Sequence, residues 1–185
     1  MRTKAIYVGL LALVLASHCC AATGDIAPCA VVSKYCSLDS AGARLSSAGW
    51  DAVAPLRTWE MEGGWDCLDV IAGFKIEPAI IDSDSTAAVA VRYDILGSLN
   101  GSRWDPAVSD SLGGRRETVT FRLVRDSRHG WRIDDRAISP HVALAPVIDH
   151  IEKLLMMEPG RAASDPDLVQ ALASLRSLRS ESAGK

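Results

Sequence analysis

The chain has 185 residues, 48% of them hydrophobic and 23% charged, with a formal net charge of −3. A chain of this length fits a single domain that buries roughly 70% of its unfolded surface. Its acidic balance excludes a general nucleic-acid or anionic-membrane binder, whose surface would be basic.

The first 22 residues read as a secretory leader. Arg2 and Lys4 give a positive start, and Ala5 to Ala16 is apolar without a charge. That run is shorter than the roughly 20 apolar residues that span a bilayer. Small residues near Ala21 and Ala22 suit cleavage after either one, so the chain is expected to be exported, periplasmic or secreted. Bacterial lipoprotein signals want a Leu three residues before the cysteine and a small residue directly before it. Cys19 follows Ala16-Ser17-His18 and Cys20 follows Ser17-His18-Cys19, so a lipid anchor is disfavoured. No later segment is long and apolar enough for a membrane span.

A first helix is predicted from the Asp25 to Pro28 region, with Cys29, Val32, Tyr35, Cys36 and Leu38 as an apolar stripe broken by Asp39-Ser40-Ala41-Gly42. A second begins near Ser47 and carries Trp50, Val53, Ala54 and Leu56, with Pro55 to be accommodated; Gly63-Gly64 closes the region. The period then changes. Val70 to Ile81, Ala87 to Leu96, Thr118 to Val124 and Trp131 to Ile138 are rich in Val, Ile, Phe, Tyr and Trp and read as four strands. Val119, Phe121 and Leu123 alternate with Thr118, Thr120 and Arg122, the pattern of an antiparallel sheet covered on one face.

The short Asp126 to Gly130 loop predicts a hairpin between the third and fourth runs. Gly97 to Gly114, containing Asn100-Gly101 and Gly113-Gly114, reads as a long mobile rim loop. After Pro140 the helical period returns in Val147, Ile148, Ile151, Leu154 and Leu155, stopped by Glu158-Pro159-Gly160. Asp165-Pro166 caps a last helix with Leu168, Leu172, Leu175 and Leu178 on one stripe.

Cys29, Cys36 and Cys67 remain after leader removal. On one helix, a seven-residue spacing separates the first two α-carbons by roughly 10 Å, and a disulfide needs them within about 7 Å. Cys67 is therefore the candidate partner of Cys29 or Cys36; three buried free thiols are the alternative. No short Cys or His pair marks a structural metal site, and neither metal nor cofactor is expected.

Gly130-Trp131-Arg132-Ile133-Asp134-Asp135 on the last strand, Val119 to Val124 before it and the helical Val32 to Leu38 resemble the NTF2-like (SnoaL-like, cystatin-like cone) superfamily. Tyr35-Cys36-Ser37-Leu38-Asp39 with Gly42, and Ser139-Pro140-His141-Val142, look like a group of uncharacterised exported bacterial proteins. The resemblance covers Cys29 to about Val142. It implies an α+β fold, N-terminal helices packed on a curved antiparallel sheet of about four strands; the C-terminal helices after Pro140 are additional, a departure from the minimal family pattern, in which the sheet usually ends the domain. The corresponding organisation is a leader over 1–22, a cone domain over 25–158 and a helical tail over 159–185. The family's enzymes place Asp, Tyr and His inside the cone, but no motif here fixes which positions correspond.

The candidate ligand-binding residues are Trp104, Tyr93, Asp94, Asp135 and Trp50. Trp104 lies in the long loop between Arg103 and Asp105, where an exposed indole would meet a ligand or partner. Trp50 and Trp131 fit a packing role at least as well. Tyr93 with Asp94, and Asp134 with Asp135, are neighbours on strands and so point to opposite faces. His141, after Pro140, suits a turn-fixing role. There is no G-x-S-x-G, H-E-x-x-H, Walker or G-x-G-x-x-G pattern. The expectation is an exported, non-catalytic domain that binds a small apolar ligand or a protein partner, with a homodimer through the open sheet face as one form of that partnership. The alternative is a hydro-lyase or isomerase acting on an apolar substrate in the cone, with Asp94 or Asp135 as the carboxylate.

Overall fold

A computed structural model describes residues 27–60, 65–108, 115–135 and 138–183. The leader, Gly63-Gly64 and Gly113-Gly114 lie outside these residues. Helix α1 spans Pro28–Ser40, with the proline in its first turn, where a missing N–H costs nothing. It buries Val31, Val32, Tyr35, Cys36 and Asp39. A 3-10 turn at Ala43–Leu45 leads into helix α2, Ser47–Val53, whose N-cap Ser46 accepts the amide of Gly49. Pro55 sits in a second 3-10 turn, Ala54–Leu56, so α2 ends at the residue before that turn.

Seven strands follow among the described residues: β1 Cys67–Ile76, β2 Ile80–Ile81, β3 Thr86–Asn100, β4 Arg103–Pro106, β5 Arg115–Asp126, β6 Gly130–Ile133 and β7 His141–Ala143. Helices α3 (Leu144–Met157), α4 (Arg161–Ser164) and α5 (Pro166–Ala183) close the chain. The sheet runs β6-β5-β3-β1-β7, with β2 and β4 also paired to β3. Helices flank this curved, partly antiparallel sheet to give an α+β half-barrel or cone.

The strands differ from the expectation of about four in three ways. The predicted Val70 to Ile81 run is split, because Pro78 cannot donate to a ladder and leaves Ile80–Ile81 as a separate edge strand. Gly97 to Pro106 is not a rim loop. Gly101-Ser102 is instead the turn of a hairpin in which Leu99 faces Trp104 and Asn100 faces Arg103. Lastly, β7 pairs parallel with β1, Asp69 opposite His141. Three residues show no alternation of their own, so the sequence around Pro140 carried no strand signal.

Alternation on β5 is as expected: Phe121 and Leu123 are buried, while Thr120 and Arg122 are exposed. Two cores result. Beneath α1, the first gathers Val32, Tyr35, Ile71, Val89, Val91, Tyr93, Ile95, Phe121, Leu123, Trp131 and Ile133. The second lies under α3 and α5 and holds Val70, Leu99, Val142, Val147, Ile148, Ile151, Leu168, Leu172 and Leu175.

A bulge connects them. Val70 pairs Gly97 but Ile71 pairs Ile95, so Leu96 is the extra residue on β3. Since an extra residue reverses the facing of everything beyond it, odd-numbered Val89 to Ile95 meet the α1 core and Leu99 meets the α3 and α5 core. Gly97, just past the bulge, lies under the Trp104 indole; a Cβ there would stand 2.5 Å from the ring.

Candidate functional site

Where the two cores meet, α1, β1, β3 and β7 bring together a buried polar cluster. The His141 ring stacks on Tyr93 with centroids 3.9 Å apart and planes at 17°. Its Nδ1 lies 2.9 Å from the carbonyl of Ser139. A carbonyl can only accept, so Nδ1 carries the proton and Nε2 presents a lone pair. Nε2 has no hydrogen-bond partner, and the nearest acidic oxygen, on Asp69, is 3.9 Å away. Asp69 in turn accepts from Ser98 Oγ at 2.5 Å and faces Arg115 at 3.7 Å.

On the α1 side, Asp39 accepts the His141 amide at 3.0 Å and meets Arg44 at 3.4 Å. Arg44 also donates to the Ile138 carbonyl at 2.9 Å and lies 4.2 Å from the Trp65 ring centroid. Cys36 Sγ is 3.2 Å from Tyr93 Oη. Burial pushes the Cys36 thiol up to about 12 and raises the Tyr93 phenol as well. Burial also lowers the proton affinity of His141, although the Asp69 carboxylate and the Ser139 carbonyl pull it back. The cluster thus holds an acid, a base and a thiol, but Cys36 and Tyr93 are each only 1% exposed and His141 3%.

A second feature is open. Between α1, the Ala54–Leu56 turn and the β5–β6 hairpin lies a cleft of about 700 Å³, within the range of small-molecule sites. Val31, Leu56, Pro55 and Trp131 are its apolar lining; Lys34, Arg125, Ser127, Arg128 and His129 supply the polar wall. The hairpin is built by Asp126, whose Oδ1 accepts the amides of Arg128 at 2.8 Å and His129 at 2.6 Å. The same carboxylate meets the His129 ring at 3.1 Å and Arg132 at 2.5 Å. The His129 amide, then the Arg128 amide, the His129 ring and the Arg132 charge, hold its carboxyl well below the usual range. Gly130 closes the turn at φ 70°, a backbone angle that side chains disfavour.

The residues expected to bind a ligand do not converge. Tyr93 is sealed in the first core, whereas Trp104 is partly buried against the second and is not the exposed loop indole expected of it. Gly97 is the reason: lacking a side chain, it lets the indole fold back over β3. Trp50 lies under the Arg57 guanidinium at 4.1 Å. Asp94 points away from Tyr93, half exposed, and pairs with Arg116 at 3.3 Å. Asp135, just beyond β6, is partly buried.

Pairing of Cys67 with Cys29 or Cys36 is not formed, for all three thiols are free. Cys36 and Cys29 face Tyr93 and the Glu77 carbonyl respectively. Sequence reasoning passed over Asp69, Arg44 and Lys34, which owe their places to β1–β7 pairing and to the α1–hairpin approach rather than to any local motif. Among the described residues, no group of three or more His, Cys, Asp or Glu could hold a metal ion, and no helix is long and apolar enough to cross a membrane.

Comparison with known proteins returns no matching family model, no matching curated protein and no matching solved structure.

Proposed function

We propose that this chain is an exported, non-catalytic ligand-binding module of NTF2-like type whose ligand site is the cleft beside the β5–β6 hairpin. One observation carries the reading. Side chains suited to chemistry are packed against one another at 1% to 3% exposure, while the cleft is an open concavity of small-molecule size. A substrate would have to displace core side chains to reach Tyr93 or His141, whereas nothing has to move for a ligand to enter the cleft.

A second reading has its own support. Nε2 of His141 is a buried lone pair facing a carboxylate, an arrangement that could take a proton from a substrate if the cone opened. The carboxylate in that case is Asp69, not Asp94 or Asp135. Amide chemical-shift mapping of the exported protein against a set of neutral, anionic and cationic fragments separates the two. Shifts clustered at Val31, Lys34, Leu56 and Arg125 to Trp131 support the module. Shifts confined to Tyr93, Ser98 and His141 would overturn it in favour of the enzyme.

A further inference from the structure

Resting on the cleft as the ligand site, the charges along its wall identify the class of ligand. Lys34 projects from α1, and Arg125, Arg128 and His129 come from the opposite hairpin. Asp126 is the acidic residue among the described lining, and its carboxylate is already committed to two backbone amides, the His129 ring and Arg132. Neither Lys34 nor Arg128 makes a salt bridge among the described residues. In a chain of net charge −3, two exposed cations without an ion pair among the described residues, beside a carboxylate that is already engaged, make a local reversal of sign.

Below that wall the lining changes character. Pro55 is exposed, while Val31, Leu56 and Trp131 are 3%, 7% and 9% exposed and contribute only their edges; the Arg125 guanidinium stands 6.0 Å from the Trp131 ring centroid. A neutral hydrocarbon would leave Lys34 and Arg128 unmatched, and an inorganic anion would make no use of the exposed Pro55 beside them. We propose that the cleft binds a small organic anion, its carboxylate, sulfonate or phosphate group held between Lys34 and Arg128 and its apolar part against Pro55 and the exposed edge of Trp131. The cations supply the selectivity for charge.

Two dyes with the same ring system test this directly: anilinonaphthalene sulfonate, which is anionic, and phenylnaphthylamine, which is not. Each is titrated into the folded exported protein at neutral pH, with binding located by the amide shifts of Arg125 to Trp131. The sulfonate is expected to bind roughly tenfold more tightly than the neutral dye, from one or two exposed ion pairs. Lys34→Gln with Arg128→Gln should remove that advantage without changing neutral-dye affinity. Both side chains are exposed, so the fold should tolerate the changes. Equal binding of the two dyes in the cleft would overturn the anion assignment and leave the ligand site standing. Absence of any shift at Arg125 to Trp131 with either dye would overturn the ligand site itself.

Discussion

His141 shows how one residue ties the parts together. Its amide reaches α1 through Asp39, its ring stacks on β3, and its Nδ1 is used by the Ser139 carbonyl. Burial keeps the folded imidazole from taking a second proton, against the pull of Asp69 and Ser139, with Arg44 and Arg115 adding to the resistance. An unfolded chain carries an ordinary imidazole, titrating near 6.5, and so binds more protons than the folded one as pH falls below about that value. Stability is therefore full above roughly pH 6.5 and declines as pH drops toward the depressed folded value. In urea unfolding, His141→Phe should flatten this decline, with the remainder carried by His150, which is shifted in the same direction by burial and by Lys153 and Arg161. An unchanged slope would show that the ring is free to charge in the fold.

Gly97 makes an equally specific case. A methyl group there would meet the Trp104 ring at 2.5 Å and the Asp105 carbonyl at 2.6 Å. Gly97→Ala should cost about 1–3 kcal/mol in urea unfolding, as overpacking does, and shift the indole signal of Trp104. A neutral result would mean that Trp104 swings outward without loss. Neither role was readable in advance: Gly97 looked like a loop residue, and Trp104 looked exposed because its neighbours are charged.

At the scale of elements, periodicity located most of the structure. Alternation of Phe121 and Leu123 with Thr120 and Arg122 placed β5 the right way round, and Asp126 to Gly130 marked its hairpin. The last helix begins where Asp165-Pro166 said it would, with the Asp165 carboxylate accepting the Leu168 amide at 3.2 Å. Asp165→Ala should thus lower stability by about 0.5–2 kcal/mol, read as an earlier melting transition by circular dichroism. Helix α5 is also joined to α3 by Arg176 and Glu152 at 2.8 Å and buries Leu175 completely in the core beneath them. Leu175→Ala should cost about 2–5 kcal/mol; a loss of under half that would mean that α5 is loosely attached.

Elements that depend on distant partners stayed out of sight. The parallel strand β7 exists only because β1 is beside it, and the facing reversal at Leu96 becomes evident only once Val70 and Ile71 are paired across to β3. The same blindness hid the site. Lys34 lies on α1 and Arg128 on a hairpin almost a hundred positions later, and no local pattern announces that they line one cleft.

At the scale of the whole molecule, one sheet serves two helical layers: an N-terminal pair fills the cone and a C-terminal pair backs the other face. The export reading belongs here too. When the full chain is expressed with its own leader, the intact mass of the exported product should correspond to cleavage after Ala21 or Ala22; an uncleaved or lipid-modified mass would refute it. What matters most for function is that the polar cluster within the cone is closed to solutes while the cleft outside is open. Cys36 reports on that closure, being 1% exposed with its thiol pushed up to about 12 by burial. The direct measurement is alkylation of the native protein by iodoacetamide, with each cysteine followed by mass spectrometry. Cys36 should react only as fast as the whole protein unfolds, far behind Cys29 and Cys67. Reaction of Cys36 in step with those two would show that small molecules enter the cone, and would contradict the account.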